Sequence, residues 1–162
     1  MIRLPDIALP STSGLFINLS QLQGVSVVFC YPYTGRPGFA DPPGWDDIAG
    51  AHGSTPQARR YGELWPRFEA LGVAVFGLSL QSREWQIEFA DRFKLPFDFL
   101  SDKGRQMTRA LGLETFRAGD ADYLRRVTFI ARDGTIMERR DVTAEPENDA
   151  DQALNTLEQL SR

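Results

Sequence analysis

Hydrophobic and polar positions along this chain switch repeatedly between a strand-like and a helix-like period, the pattern of an α/β protein. Val25 to Tyr33 (VSVVFCYPY) is β-branched, aromatic and nearly continuously apolar, which predicts a central strand covered on both faces. Tyr61, Leu64, Trp65 and Phe68 recur at i, i+3, i+4 and i+7 and predict a helix. Ser54 with Gln57 three residues on matches a capping box at its start, and Pro56 suits the first turn, while Pro66 predicts a kink or an early end. Val73 to Leu80 reads as a second buried strand. Ser82 caps a following helix with Trp85, Phe89 and Phe93 on one side, broken at Leu95-Pro96. Phe97 to Leu100 is a short strand, and Ser101 or Asp102 caps a helix through Met107, Ala110 and Leu111 that Gly112 ends. Val127 to Ala131 and Thr135 to Val142 form a hairpin, because Asp133-Gly134 between apolar runs is a strong turn signal. The last helix shows Ala150, Ala153, Leu154 and Leu157 at helical spacing, with Pro146 and the acids Glu147, Asp149 and Asp151 at its positive end.

Between the central strand and the first long helix, residues 34–53 hold five glycines and three prolines, too many breakers for a regular element. A loop of that length inside a compact domain is usually functional or mobile, and Trp45 is the residue able to pin it down.

Composition narrows the classes. At 162 residues, 42% apolar and 25% charged, the chain is expected to form one domain over 1–162 without staples. A net charge of −4 argues against nucleic acid as a partner, despite arginine pairs at 59–60, 125–126 and 139–140. No stretch approaches a membrane span, and the N-terminal segment has no long apolar run, so a cytoplasmic location is expected. One cysteine, Cys30, excludes an intrachain disulfide and a cysteine-based zinc site, and the single His52 makes no metal cluster, so neither metal nor cofactor is expected.

The informative place is the junction of strand, loop and helix at Ser54. A helix N-terminus favours negative charge, and a thiol placed there is acidified, more so beside an arginine. The order LPDIALPSTSGLFINLSQLQG, VVFCYPY, GSTPQARRYGELWPRFEALGVAVFGLSLQS, LPFDFLSDKG and RRVTFIARDGTI resembles the peroxiredoxins of the alkyl hydroperoxide reductase and thiol-specific antioxidant superfamily over nearly the whole chain. Its long 34–53 insertion resembles the bacterioferritin-comigratory-protein-like branch. The resemblance implies a thioredoxin-like fold, a central mixed β-sheet flanked by helices.

It also implies a site. The family's proline after the central strand, threonine before the attacking cysteine, that cysteine, and the arginine before the late hairpin strand fall on Pro32, Ala51, Ser54 and Arg126. Two of the four depart. Ala51 has no hydroxyl, so Thr34 or Thr55 substitutes for it, or a backbone N–H does. Ser54 cannot run the family's chemistry, in which a thiolate attacks a peroxide oxygen, the arginine and helix N–H groups stabilise the departing charge, and a sulfenic acid results. The chain is expected to be inactive as written. It is then either an engineered cysteine-to-serine variant of a peroxidase for hydrogen peroxide or organic hydroperoxides, or a naturally degenerate protein kept for binding or regulation.

Many members of this branch place a second, resolving cysteine five residues on, and here that position is Arg59. A parent with cysteine at 54 would use an external thiol reductant such as thioredoxin or glutaredoxin, or Cys30. Cys30 shares a strand face with Pro32 and sits within reach of the pocket, but a buried cysteine acting as a small hydrophobe is the favoured reading. Of the two adjacent arginines, strand alternation makes Arg125 the exposed one, and His52 reads as a solvated loop residue. Composition leaves monomer and homodimer both open, and a copper-carrying relative would need two cysteines and a histidine.

Overall fold

The computed structural model describes residues 1–161. Ten strands and four helices follow one another as β1 (Ile2–Arg3), β2 (Ala8–Pro10), β3 (Phe16–Asn18), β4 (Val25–Cys30), α1 (Ser54–Ala70), β5 (Ala74–Ser79), α2 (Arg83–Arg92), β6 (Asp98–Ser101), α3 (Gln106–Leu111), β7 (Thr115–Ala118), β8 (Ala121–Leu124), β9 (Val127–Arg132), β10 (Thr135–Asp141) and α4 (Asp149–Leu160). Six strands form one mixed sheet in the order β1-β10-β9-β4-β5-β6. β4 runs parallel to β5, and β5 to β6, while β9 is antiparallel to both β4 and β10.

β4 is central, and its continuous apolar run is explained by burial on both faces. Successive side chains point to opposite sides, so Val27, Phe29 and Tyr31 join one core cluster, with Ala58, Tyr61 and Phe68 of α1, Phe89 of α2 and Leu154 of α4. Val28 and Cys30 join a second, with Leu4, Leu9, Leu78, Leu100 and Met107. α1, α2 and α4 therefore cover one face, and α3 with the N-terminal segment covers the other.

The predicted elements are present with ends moved by a few residues, the helix expected to be capped at Ser101 or Asp102 starting only at Gln106, and the spacing at Ala150, Ala153, Leu154 and Leu157 marks the buried stripe of α4. Three details differ. α1 passes Pro66 and runs to Ala70, so the early end does not occur. The turn at Asp133 (φ 50) and Gly134 (φ 80) forms as predicted, but the β9–β10 register shifts between Ile136 and Glu138. Two short hairpins, β2–β3 and β7–β8, add to the elements predicted from sequence.

The second of these positions the site. Phe116 of β7 and Tyr123 of β8 stand 5.6 and 5.0 Å, ring centre to ring centre, from Trp45, which lies in a short 3₁₀ turn of the 34–53 loop. Trp45 is 4% exposed and clusters with Ala51 and Ala118, so the indole anchors the loop as expected from sequence. The anchored segment leads straight into α1.

Candidate active site

Ser54 is the first residue of α1, one position later than the capping box requires. The N-cap is Gly53, at φ 113, and no side chain caps the helix. Glycine is required there because the left-handed backbone disfavours a side chain and an added Cβ would collide with Pro146. The serine hydroxyl is thus released from capping. It accepts a hydrogen bond from Arg126 Nη2 at 2.7 Å. Gln57, which spacing alone makes the other half of the box, instead turns its side chain inward, where Oε1 accepts from Arg126 Nε at 3.0 Å and Nε2 donates to Asp149 Oδ2 at 3.1 Å.

Arg126 lies between β8 and β9 and is 6% exposed, while Arg125 is the exposed one, as expected, and points out over Phe116. The Arg126 guanidinium also donates to the carbonyls of Gly50 and Ala51, so the anchored loop closes over it. Burial pulls its pKa down to about 10, opposed by the carboxylates of Asp149 and Glu147, and it remains a cation at neutral pH. Ser54, 3% exposed, therefore sits between a cation and the positive end of a helix.

Asp149 joins the site although its position in the sequence suggests only a helix-dipole acid. It is 2% exposed, and Oδ2 accepts from Gln57, from the Tyr61 hydroxyl at 2.7 Å and from Thr128 Oγ1 at 2.7 Å. Oδ1 accepts from Arg140 Nη2 at 2.8 Å. Nothing in the local sequence distinguishes it from Asp151 two residues on, because its partners come from α1, β9 and β10.

The remaining candidates divide. Pro32 is buried just past the end of β4. Ala51 does contribute its backbone, but as a carbonyl acceptor at 3.3 Å from Arg126 and not as an N–H donor. Thr34 does not stand in for the missing hydroxyl: its Oγ1 donates to Gln81 Oε1 at 3.1 Å, and its carbonyl accepts from Trp85 Nε1 at 2.7 Å, toward α2. Thr55 is half-buried on the first turn of α1, and no hydrogen bond among the described residues joins its side chain to Ser54 or Arg126. His52 is exposed and meets Asp46 at 2.6 Å, a rim pair.

The expected approach of Cys30 to the pocket is corrected. Its side chain belongs to the cluster on the α3 face, whereas Ser54 opens a helix packed on the opposite face. Alternation fixes only which β4 residues share a face; the packing of α1 on the face of Val27 and Phe29 is what leaves the sulfur on the other side. Full burial raises the thiol well above its ordinary value, with Asp102 adding to the shift, so Cys30 is not a thiolate at neutral pH.

Beside the site, a cleft of about 250 Å³ is lined by Gly50, Phe116, Arg125, Arg126 and Val142. It reaches the guanidinium and not Ser54. Among the described residues no three of His, Cys, Asp and Glu are grouped to hold a metal ion, and no helix is long and apolar enough to cross a membrane.

An atom held at a helix mouth by a buried arginine, on a mixed sheet covered by helices on both faces, is a thioredoxin-like arrangement with a pocket suited to an anion at position 54. The chain belongs to the Redoxin family, whose model matches residues 3–154. Among curated relatives, Peroxiredoxin Q, chloroplastic, of Sedum lineare is 27% identical over 157 residues, 96% of this chain and 76% of that protein. Putative peroxiredoxin bcp of Coxiella burnetii is 27% identical over 112 residues, 68% of this chain and 64% of that protein. Among solved structures, Xanthomonas campestris Bacterioferritin Comigratory Protein superposes with a TM-score of 0.79 at 20% identity, over 100% of this chain and 99% of that one. Peroxidoxin BcpB from Mycobacterium tuberculosis does so with 0.78 at 23% identity, over 98% and 95%. These likenesses establish the thioredoxin-like fold with its mixed sheet.

Proposed function

We propose that this pocket is a peroxidase site built for a thiolate at position 54, and that the chain, carrying serine there, does not reduce peroxide. The observation that supports this is the 2.7 Å bond from Arg126 Nη2 to Ser54 Oγ at the mouth of α1. Guanidinium and helix N–H groups together favour an anion at that atom, which for a thiol means deprotonation near neutral pH. A serine hydroxyl stays protonated there, and its oxygen has no counterpart of the sulfenic state.

With sulfur in place, the thiolate donates an electron pair to one oxygen of hydrogen peroxide or an organic hydroperoxide. The S–O bond forms as the O–O bond breaks, and the leaving oxygen departs as hydroxide or alkoxide and takes a proton to become water or alcohol. Sulfur is oxidised by two electrons to the sulfenic acid. Two equivalents of an external thiol, of thioredoxin or glutaredoxin type, then return it to the thiol through a mixed disulfide and release water. Cys30, on the other face of the sheet, is not the resolving thiol.

The test is Ser54→Cys. The reduced variant should consume about one peroxide per chain, give a dimedone adduct, and turn over with dithiothreitol, while the chain with Ser54 consumes none. Absence of both consumption and adduct in the variant overturns the reading.

One observation favours a second reading, a naturally cysteine-less binding or regulatory protein. Position 59 carries an arginine whose guanidinium lies 5.2 Å from the Phe93 ring centre, an interaction of its own in place of a second thiol. The codon at position 54 of the encoding gene decides: serine supports this reading and cysteine ends it.

A further inference from the structure

The Gln57 side chain has two chemically different ends and is buried between two fixed groups. Arg126 Nε can only donate, so it needs the amide oxygen. A carboxylate can only accept, so it needs the amide nitrogen. Asp149 meets that second need at 3.1 Å, and the oxygen is left facing Arg126 at 3.0 Å. If the amide turned over, two donors would meet on one side and two acceptors on the other. The guanidinium so oriented reaches the position-54 atom at 2.7 Å.

We propose that Asp149 is a positioning residue of this site, holding Arg126 against the atom at position 54 through the Gln57 amide. The inference rests on the peroxidase reading for its consequence, though its geometry does not. The groups facing the relay are Glu147 from the 3₁₀ turn before α4, Arg140 from β10, Thr128 from β9, and Tyr61 with the helix N-terminus from α1. Arg140, 2.8 Å from Oδ1, balances the buried negative charge and keeps it in place. Asp149 also favours the charged form of Arg126 against the cost of its burial.

The experiment uses the full chain carrying Ser54→Cys and follows ultraviolet thiolate absorbance against pH, alongside the peroxide rate constant. Adding Asp149→Asn should raise the thiol midpoint by about one unit and slow the reaction about tenfold at a pH well below the midpoint, where the thiolate fraction falls in proportion. Gln57→Leu breaks the relay while leaving Asp149 its other three donors, and should give a similar rise. The two changes together should add nothing further, as expected of one pathway. Asp151→Asn, which removes an equal charge two residues along but outside the relay, should leave the midpoint in place. An unchanged midpoint in Gln57→Leu, or an equal rise in Asp151→Asn, overturns the proposal. Should Asp149→Asn fail to fold, Asp149→Glu, which keeps the charge but displaces the carboxylate from Gln57 Nε2, takes its place, and an unchanged midpoint in it overturns the proposal. A Ser54→Cys chain that ignores peroxide defeats the peroxidase reading alone, since the midpoints still report on the relay.

Discussion

Ser54 and Cys30 lie on opposite faces of one six-stranded sheet, and each has what the other lacks. Around Ser54 there is a cation, a helix mouth and a buried hydrogen-bond relay, all suited to an anion, but the atom held there is oxygen. Around Cys30 there is sulfur, but the cluster that holds it is apolar throughout, and burial keeps the thiol protonated. Reactivity thus belongs to the surroundings and not to the residue type. Surroundings suited to an anion can hold an oxygen, and a thiol can sit where burial keeps it out of chemistry.

The largest effect should come from moving the sulfur between the two places. In Ser54→Cys combined with Cys30→Ala, the chain still has one thiol, and that thiol should react with peroxide and with alkylating reagents. In the parent chain, Cys30 should react with a disulfide reagent on the order of a thousandfold slower than in urea, because access requires unfolding. Comparable rates for the native and unfolded parent would erase the contrast.

A smaller effect sharpens the role of the cation. Arg126→Lys in the Ser54→Cys background keeps a charge but loses the planar fork that holds Ser54, Gln57 and two loop carbonyls at once. Peroxide reduction should fall roughly a hundredfold, as for loss of one preorganised donor. Retention of the full rate would mean that net charge alone suffices.

The smallest effect concerns alkaline stability, where buried groups pull in opposite directions. Cys30 and Tyr61 are held above their ordinary values by burial, so the native chain keeps protons that the unfolded chain releases. Stability is then lost as pH rises past the unfolded values of these groups. Arg126 has the other sign: lowered to about 10, it releases its proton earlier in the native chain and contributes a gain above that pH. Cys30→Ala should remove the part of the loss that starts near the ordinary thiol value of 9, a slope of at most about 1.4 kcal/mol per pH unit. Urea titrations on either side of that pH measure it, and an unchanged slope would place the alkaline loss elsewhere.

Much of this arrangement is legible from residue order. The apolar run of β4, the stripe of α1 and the Asp133-Gly134 turn are local signals, each set by periodicity or backbone conformation within a few residues. The anchoring of the long loop by Trp45 is legible too, because a tryptophan among glycines and prolines has little other use. The β7–β8 hairpin escapes such reading although Gly119-Asp120 between alternating residues offers a turn signal. Gln57 and Asp149 mislead for a different reason. Both fit a local role, cap and dipole acid, and local roles are all that neighbouring residues can suggest.

Residue order alone settles the succession of strands and helices and the placing of Ser54 at a helix start, since each depends on short-range sterics and periodicity, while the choice of Arg126 over Arg125 as the inward arginine comes from the family resemblance. Long-range packing settles the rest: which side of the sheet Cys30 faces relative to α1, and the meeting of Gln57, Arg126 and Asp149. Those contacts join residues 69 and 92 positions apart, and a hydrogen bond across such a distance leaves no mark in the spacing of either partner's neighbours.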